Sequence, residues 1–232
     1  MIFYDGVSLE SVADVKIEDI RVSPIQYEPV TRPRPVRGGS VFVRNRPGTR
    51  TVSITFALLD DNAYSRQKML SFISSWAKSD KEYKLELPGN PERYLMAVCT
   101  SKPEPSLRQW WESKLRLVFT CFENPYWNSK TEKSVACGSD FFVMGDAEPL
   151  MRIERTLSGA ASNQAYASGG KTMTFSTIPA GNMIIDLNNQ TAVVGNTDIM
   201  QYYNVNSRFI IPKPGAMKIT GTGTIKYRER FE

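Results

Sequence analysis

The sequence predicts a mainly β protein with one helix, arranged as two modules that meet near residue 130. Three observations predict it. Short stretches of alternating apolar and polar residues recur along the chain, separated by turns rich in Asn, Gly and Pro. One segment alone, about residues 62–78, has the three-and-four spacing of an amphipathic helix. At Thr120-Cys-Phe-Glu-Asn-Pro-Tyr-Trp-Asn-Ser129 the composition changes, from charged strands and an arginine-rich loop to short strands rich in Gly, Asn, Ser and Thr.

In the first module, Ile2-Phe-Tyr-Asp-Gly-Val-Ser-Leu9 reads as a hairpin turning at Asp5-Gly6. Val15, Ile17, Ile20 and Val22 mark a strand that ends at Pro24. Residues 29–50 hold Pro29, Pro33, Pro35, Gly38, Gly39, Pro47 and Gly48 and read as turn-prone. Thr51–Leu58 alternates cleanly, with Val52, Ile54, Phe56 and Leu58 on one face. The helix follows, with Asp60, Asp61 or Asn62 as candidate caps and Met69, Phe72, Ile73 and Trp76 as its core stripe, laid on a sheet. Tyr83–Leu87, Tyr94–Thr100 and Lys114–Phe122 complete the strands. In the last of these Val118 and Phe122 suggest burial on both faces.

The junction itself is Asn124-Pro125, which biases the backbone towards an extended or turn conformation, followed by the large aromatics Tyr126 and Trp127. Pro125, Tyr126 and Trp127 are therefore the inter-domain candidates. Beyond them Leu150–Leu157, Lys171–Ser176, Met183–Leu187, Thr191–Val194, Val205–Ile211, Ala216–Thr220 and Thr224–Phe231 read as strands. Asn188-Asn189 supplies a hairpin turn, and Gly159–Gly170 reads as a loop. Strands at this spacing predict an antiparallel β-sandwich. The domains are thus expected at residues 1–130 and 131–232.

Composition narrows the function. With 232 residues, 41% of them hydrophobic and 23% charged, the chain is that of a globular protein. No apolar run approaches the ~20 residues of a membrane span. The start, Met-Ile-Phe-Tyr-Asp-Gly, has neither the basic nor the apolar region of a secretory signal, so folding in a cytoplasm is the expectation. Cys99, Cys121 and Cys137 are odd in number and lack CxxC spacing, which speaks against a disulfide framework or a zinc site. The chain has no histidine. That excludes Ser-His-Asp and Cys-His catalysis and removes the usual general base. No catalytic residue, metal ligand or cofactor-binding residue is assigned, and the expectation is a protein that is not an enzyme and needs no cofactor.

The net charge of +5 is concentrated. Residues 1–130 carry 19 Lys and Arg against 15 Asp and Glu, and the remainder 10 against 9. Arg32, Arg34, Arg37, Arg44, Arg46 and Arg50 lie in a stretch without an acid between Glu28 and Asp60. Three readings stand open: a protein–protein contact through carboxylates, a nucleic-acid contact, or a solvated loop. The nucleic-acid reading lacks support from a helix-turn-helix, RRM or zinc pattern, and Phe42 is the one aromatic among the arginines.

In combination these features resemble the distal tail proteins of long-tailed, siphovirus-type bacteriophages and prophages. The resemblance covers nearly the whole chain. It rests on the hairpin at Asp5-Gly6, the Gly-Arg-rich loop leading into Thr51–Leu59, the helix ending near Trp76, and Leu85-Glu-Leu-Pro followed by Pro91-Glu-Arg-Tyr94. It continues through Phe122-Glu-Asn-Pro-Tyr-Trp127, Ile184-Ile-Asp-Leu187 and the ending Pro214-Gly215, Ile219, Gly221-Thr-Gly223 and Tyr227-Arg228.

The resemblance implies an N-terminal barrel-like β domain that assembles into a homohexameric ring, and a C-terminal galectin-like sandwich. Implied partners are the tail tube protein, the tape-measure protein, the tail-tip hub or tail-associated lysin, and a receptor-binding protein. It implies a place at the distal tail tip or baseplate of the virion, after assembly in the host cytoplasm, with no membrane contact. DNA passes through the channel of such rings without stable binding, which directs the arginines towards protein contacts. Larger relatives carry an insertion for an extra carbohydrate-binding module, which this chain lacks. Two alternatives remain at this point. One is a sugar-binding tail-tip module using Tyr202 and Tyr203, and the other a tail-tube or tail-completion subunit.

Overall fold

The computed structural model describes residues 1–34, 38–59, 62–101 and 114–232, which divide into two compact units, Met1–Trp127 and Asn128–Glu232. The first unit opens on the hairpin of β1 (Phe3–Tyr4) and β2 (Val7–Ser8). Its turn residues Asp5 and Gly6 both take positive φ, 50° and 78°, the geometry for which Asp-Gly is favoured. A single helical turn, α1 (Leu9–Val12), follows; four residues are too few to leave a periodic signal in the sequence.

Next come β3 (Val15–Val22), β4 (Tyr27–Pro33), β5 (Ser40–Pro47) and β6 (Arg50–Leu58). The apolar phase of β3 slips between Ile17 and Ile20. There the β3–β6 ladder has a bulge, where one extra residue sets Ile20 opposite Ile54 as Ile17 stands opposite Phe56, keeping the apolar side chains on one face. The remaining elements are the helix α2 (Ala63–Ala77) and strands β7 (Tyr83–Glu86), β8 (Arg93–Cys99) and β9 (Lys114–Cys121). All pairings are antiparallel and give the order β2-β1-β7-β8-β9-β6-β3.

Asn62 caps α2, its side-chain oxygen accepting from the Tyr64 N–H at 3.0 Å; Asp60 and Asp61 lie outside the described residues. The helix packs through Ile73 and Ala77, both buried, with Trp76 at the side. Trp76 donates its indole N–H to the Val7 carbonyl at 3.0 Å and meets Tyr4 and Phe119 edge-on. Phe72 departs from the expected stripe, being 46% exposed. Ile73 and Ala77, four residues apart, centre the contact, and Phe72 falls beside it. Under the helix, Val52, Ile54 and Phe56 of β6 and Leu115, Leu117 and Phe119 of β9 form a closed core, whereas Phe122 is exposed. The Tyr4 hydroxyl is buried in this core and donates to the Ala97 carbonyl at 3.1 Å.

The second unit is a two-layer sandwich reached through β10 (Trp127–Ser129). Its strands are β11 (Lys133–Ala136), β12 (Asp140–Val143), β13 (Ala147–Leu157), β14 (Ala161–Ser168), β15 (Lys171–Ile178), β16 (Gly181–Asp186), β17 (Thr191–Val194), β18 (Thr197–Asp198), β19 (Gly215–Lys218) and β20 (Thr224–Phe231). One layer runs β18-β17-β16-β13-β20-β11. The other holds the hairpin β14–β15 and the pair β12–β19, joined by reciprocal backbone bonds between Ala167 and Thr220. Ile153, Ile185 and Ile225 of the first layer meet Tyr166, Met173 and Phe175 of the second. Gly221, at φ +135°, passes over the Tyr166 ring where a side chain would collide.

Two expectations are corrected in this unit. The segment 159–170 is no loop. Residues 161–168 form β14, because pairing with β15 and burial of Tyr166 outweigh the weak strand preference of its Ala, Ser and Asn residues. Conversely Val205–Ile211 is not a strand. The Asn204 side chain and carbonyl accept from the Asn206 and Ser207 N–H groups in a local turn, and the Ser207 Oγ takes the Thr174 N–H of β15 in place of a backbone carbonyl, so no ladder forms. The turn at Asn188-Asn189 joins β16 to β17, with the Asp186 carboxylate accepting both backbone N–H groups.

Candidate functional site: an arginine-bearing ribbon

The expected turn-prone segment around the arginines is instead an antiparallel ribbon, β4 paired with β5. It extends the β3–β6 hairpin outward, through backbone bonds from Ser23 to Thr51 and from Gln26 to Thr49 and Gly48 to Gln26. Pro29, Pro33 and Pro47 are accommodated because both strands are edges, where a missing N–H costs little. Near its tip the Arg34 N–H donates to the Gly39 carbonyl at 3.0 Å.

The register sorts the side chains. Glu28 opposes Arg46, Val30 opposes Arg44 and Arg32 opposes Val41, so these six share one face. Tyr27, Pro29 and Thr31 share the other with Pro47, Asn45 and Phe42. The ladder shifts between Val30 and Thr31, which leaves Val43 as the extra residue and keeps Arg44 on the same side as Arg32. One face is therefore basic and the other carries exposed aromatics, with Tyr27 at 45% and Phe42 at 59%. Among the described residues the countercharge on this face is internal: Glu28 holds the Arg46 guanidinium at 2.5 Å, both side chains being more than half exposed. Arg32, Arg34 and Arg44 are exposed, and Arg37 lies outside the described residues.

Arg50 corrects the sequence grouping. It is 4% exposed, opposite Cys121 at the start of β6, and belongs to the interior of the fold and not to the exposed set. Burial pushes the Cys121 thiol up to about 12, with the Glu82 carboxylate acting in the same direction and Arg50 opposing it. Glu82 also accepts from the backbone N–H groups of Phe122 and Glu123 at 2.6 and 3.1 Å, fixing the exit of β9. At the junction Pro125 and Trp127 are buried and Tyr126 is half-buried, its N–H turning onto the Asn124 side-chain oxygen at 3.3 Å.

Tyr203 does not project for stacking on a ligand. Its ring already packs on Phe209 at 4.9 Å and meets Phe175 at 5.5 Å, and Tyr202 packs on the same core. Among the described residues no cluster of three or more His, Cys, Asp or Glu could hold a metal ion, and no helix is long and apolar enough to cross a membrane.

The two-faced character of the ribbon was partly legible in sequence, since Arg32 and Arg34, like Arg44 and Arg46, are two residues apart. What the sequence conceals is the bulge and the inward turn of Arg50.

No protein-family model and no curated protein sequence matches the chain. Its fold is that of the Dit protein of phage SPP1, whose crystal structure is described as a paradigm of the hub adsorption apparatus in phages infecting Gram-positive hosts. The two superpose with a TM-score of 0.79 over 100% of this chain and 98% of that one, at 17% identity. The activated baseplate of phage P2, solved with calcium, also contains a similar chain, with a TM-score of 0.46, 8% identity and coverage of 96% and 92%.

Proposed function

We propose that this chain is a structural protein of a phage tail tip, a distal tail protein that forms a homohexameric ring between the tail tube and the hub. In this reading the first unit closes the ring, and the second is displayed for contact with other tail-tip proteins. The chain works as a scaffold and catalyses no reaction. The observation that carries the reading is the ribbon of Tyr27–Pro33 and Ser40–Pro47, exposed on both faces in a chain that takes the Dit fold from end to end. A two-stranded ribbon standing alone is marginal in water. An arm with a basic face and an aromatic face gains order when a partner covers it.

A closed ring needs a heterologous contact, one patch meeting a different patch on the next copy. The exposed Arg32, Arg34 and Arg44 suit carboxylates on such a neighbour, by charge-assisted and bidentate bonds. The separate sandwich of residues 128–232 favours a distal tail protein over a tube subunit, which needs only the ring-forming part. Native mass measurement and electron microscopy of the purified protein, alone and mixed with its tail-tip partner, test the reading. Six-membered rings in either sample are expected. A chain that stays monomeric in both, and is missing from purified tails, refutes it.

A further inference from the structure

The second unit carries a groove of about 340 Å³ with an unusual lining, remote in sequence from the arginine ribbon. Its walls come from the β14–β15 turn, the segment before β19, and β19 itself. Lys171, Lys213 and Lys218 all line it. Between them lie the apolar residues Ile211, Pro214 and Met217. Gly169, at positive φ in the turn, has open space where a side chain would stand, so the groove is not closed on that side. The Lys213 N–H donates to the Met217 sulfur at 3.4 Å, which ties the loop across the floor.

Charge is unbalanced here. Lys218 reaches Asp140 at 3.3 Å, an exposed pair of the kind that contributes little. Lys171 and Lys213 have no acidic partner among the described residues. With Lys218 beside Asp140, Lys171 and Lys213 carry the unneutralised charge of this groove, and an anion bound there gains attraction from both.

We infer that this groove is a binding site for a phosphate group carried on a polyol or sugar. Lysine ammoniums are compact point charges that suit a tetrahedral, multiply charged oxyanion. A planar carboxylate is better matched by the arginine fork, and no arginine lines the groove. The apolar stretch of Ile211, Pro214 and Met217 accommodates the carbon skeleton beside the phosphate. The volume is in the range of small-ligand sites. Nucleic acid fits less well, because no aromatic side chain lines the groove to stack on a base. The site stands apart from the ring reading, since it lies within one copy of the second unit.

Calorimetric titration of the full chain with inorganic phosphate, with sn-glycerol 3-phosphate and with a glycerol phosphate oligomer tests the inference. Saturable binding of glycerol phosphate is expected, weakened about tenfold or more in the Lys171→Ala/Lys213→Ala double variant. An Arg32→Ala/Arg44→Ala variant serves as the control and should bind as the parent does. The oligomer binding more tightly than the monomer identifies a polymeric source; equal affinity per phosphate identifies a free one. Thermal melts should show both variants folded, because the substituted side chains are not buried. The inference is overturned by any of three results: no saturable binding, binding that survives loss of both lysines, or equally tight binding of an oligothymidylate of the same charge.

Discussion

Glu28 and Arg46 face each other across the β4–β5 ribbon with carboxylate and guanidinium 2.5 Å apart, so one arginine of the basic face is already satisfied within the chain. Arg32 and Arg44 share that face, and Arg34 follows it towards the tip. The pairing separates a residue that shapes the ribbon from residues left to meet a partner.

Replacing Arg32, Arg34 and Arg44 together by Ala is therefore expected to leave folding within about 0.5 kcal/mol, the usual range for exposed positions. Tail or ring assembly, counted by electron microscopy, should fall, and fall further as salt is raised, because exposed charge contacts are screened. Arg46→Ala should impair assembly less than the triple change. Normal yields of complete rings from the triple variant would show the basic face to be merely solvated.

Much of this architecture could be read from the residues. The clean alternation of Val52, Ile54, Phe56 and Leu58 specified β6, and Val15, Ile17, Ile20 and Val22 marked β3, whereas the bulge between Ile17 and Asp19 shows only in the pairing with β6. What escaped the reading depends on partners distant in sequence. Small polar residues make β14 only because β15 and the sandwich core lie against them. The lysine groove assembles residues 171, 213 and 218, which no local motif connects. Arg50 looked like its neighbours in composition, and only the β6–β9 pairing with Cys121 places it inside.

Adjacent residues of α2 should respond oppositely. Ile73 is fully buried beneath the helix, so Ile73→Ala is expected to destabilise by about 2–5 kcal/mol. Phe72 is 46% exposed, and Phe72→Ala should cost less than about 1 kcal/mol. Trp76, Trp110 and Trp111 precede the unit boundary and Trp127 stands at it, so tryptophan fluorescence in a urea titration weights the first unit. Equal shifts for the two variants would contradict the helix orientation described above.

Alkaline pH should weaken the fold. Burial raises the thiols of Cys99, Cys121 and Cys137, Cys121 to about 12, and it raises the Tyr4, Tyr166 and Tyr227 hydroxyls as well. These groups stay protonated in the folded chain at pH values where the unfolded chain has released its protons. The folded state then binds more protons, so stability is fully present below the unfolded thiol value of 9.0 and declines as pH rises towards 12. Denaturation midpoints measured at about pH 8 and about pH 10.5 should decrease in that order. In Cys121→Ala, whose midpoint starts lower, the decrease should be smaller. An unchanged slope would mean the thiol is already solvated in the folded protein.

Glu229 provides a test confined to the second unit. Its side chain is 7% exposed, and one carboxylate oxygen accepts both the Lys133 ammonium at 2.7 Å and the Met144 N–H at 2.9 Å. The contact ties β20 to β11 and to the end of β12. Glu229→Ala removes the acceptor from two donors at once; Lys133 is 40% exposed and passes its charge to water, so the expected cost is about 1–3 kcal/mol, chiefly for the Met144 N–H left without a partner. Glu229→Gln keeps an oxygen for the Met144 N–H and loses only the charge, so its cost should be smaller. Adding Lys133→Ala to Glu229→Ala should cost less than the sum of the single changes, because the lysine no longer has a partner to lose. Circular dichroism follows both units, while tryptophan fluorescence weights the first, with Trp127 at its end in β10. The expected result is an earlier dichroism transition with a smaller shift of the fluorescence transition. Additive losses in the double variant would show that Glu229 and Lys133 act independently, and that the carboxylate matters for the Met144 backbone alone.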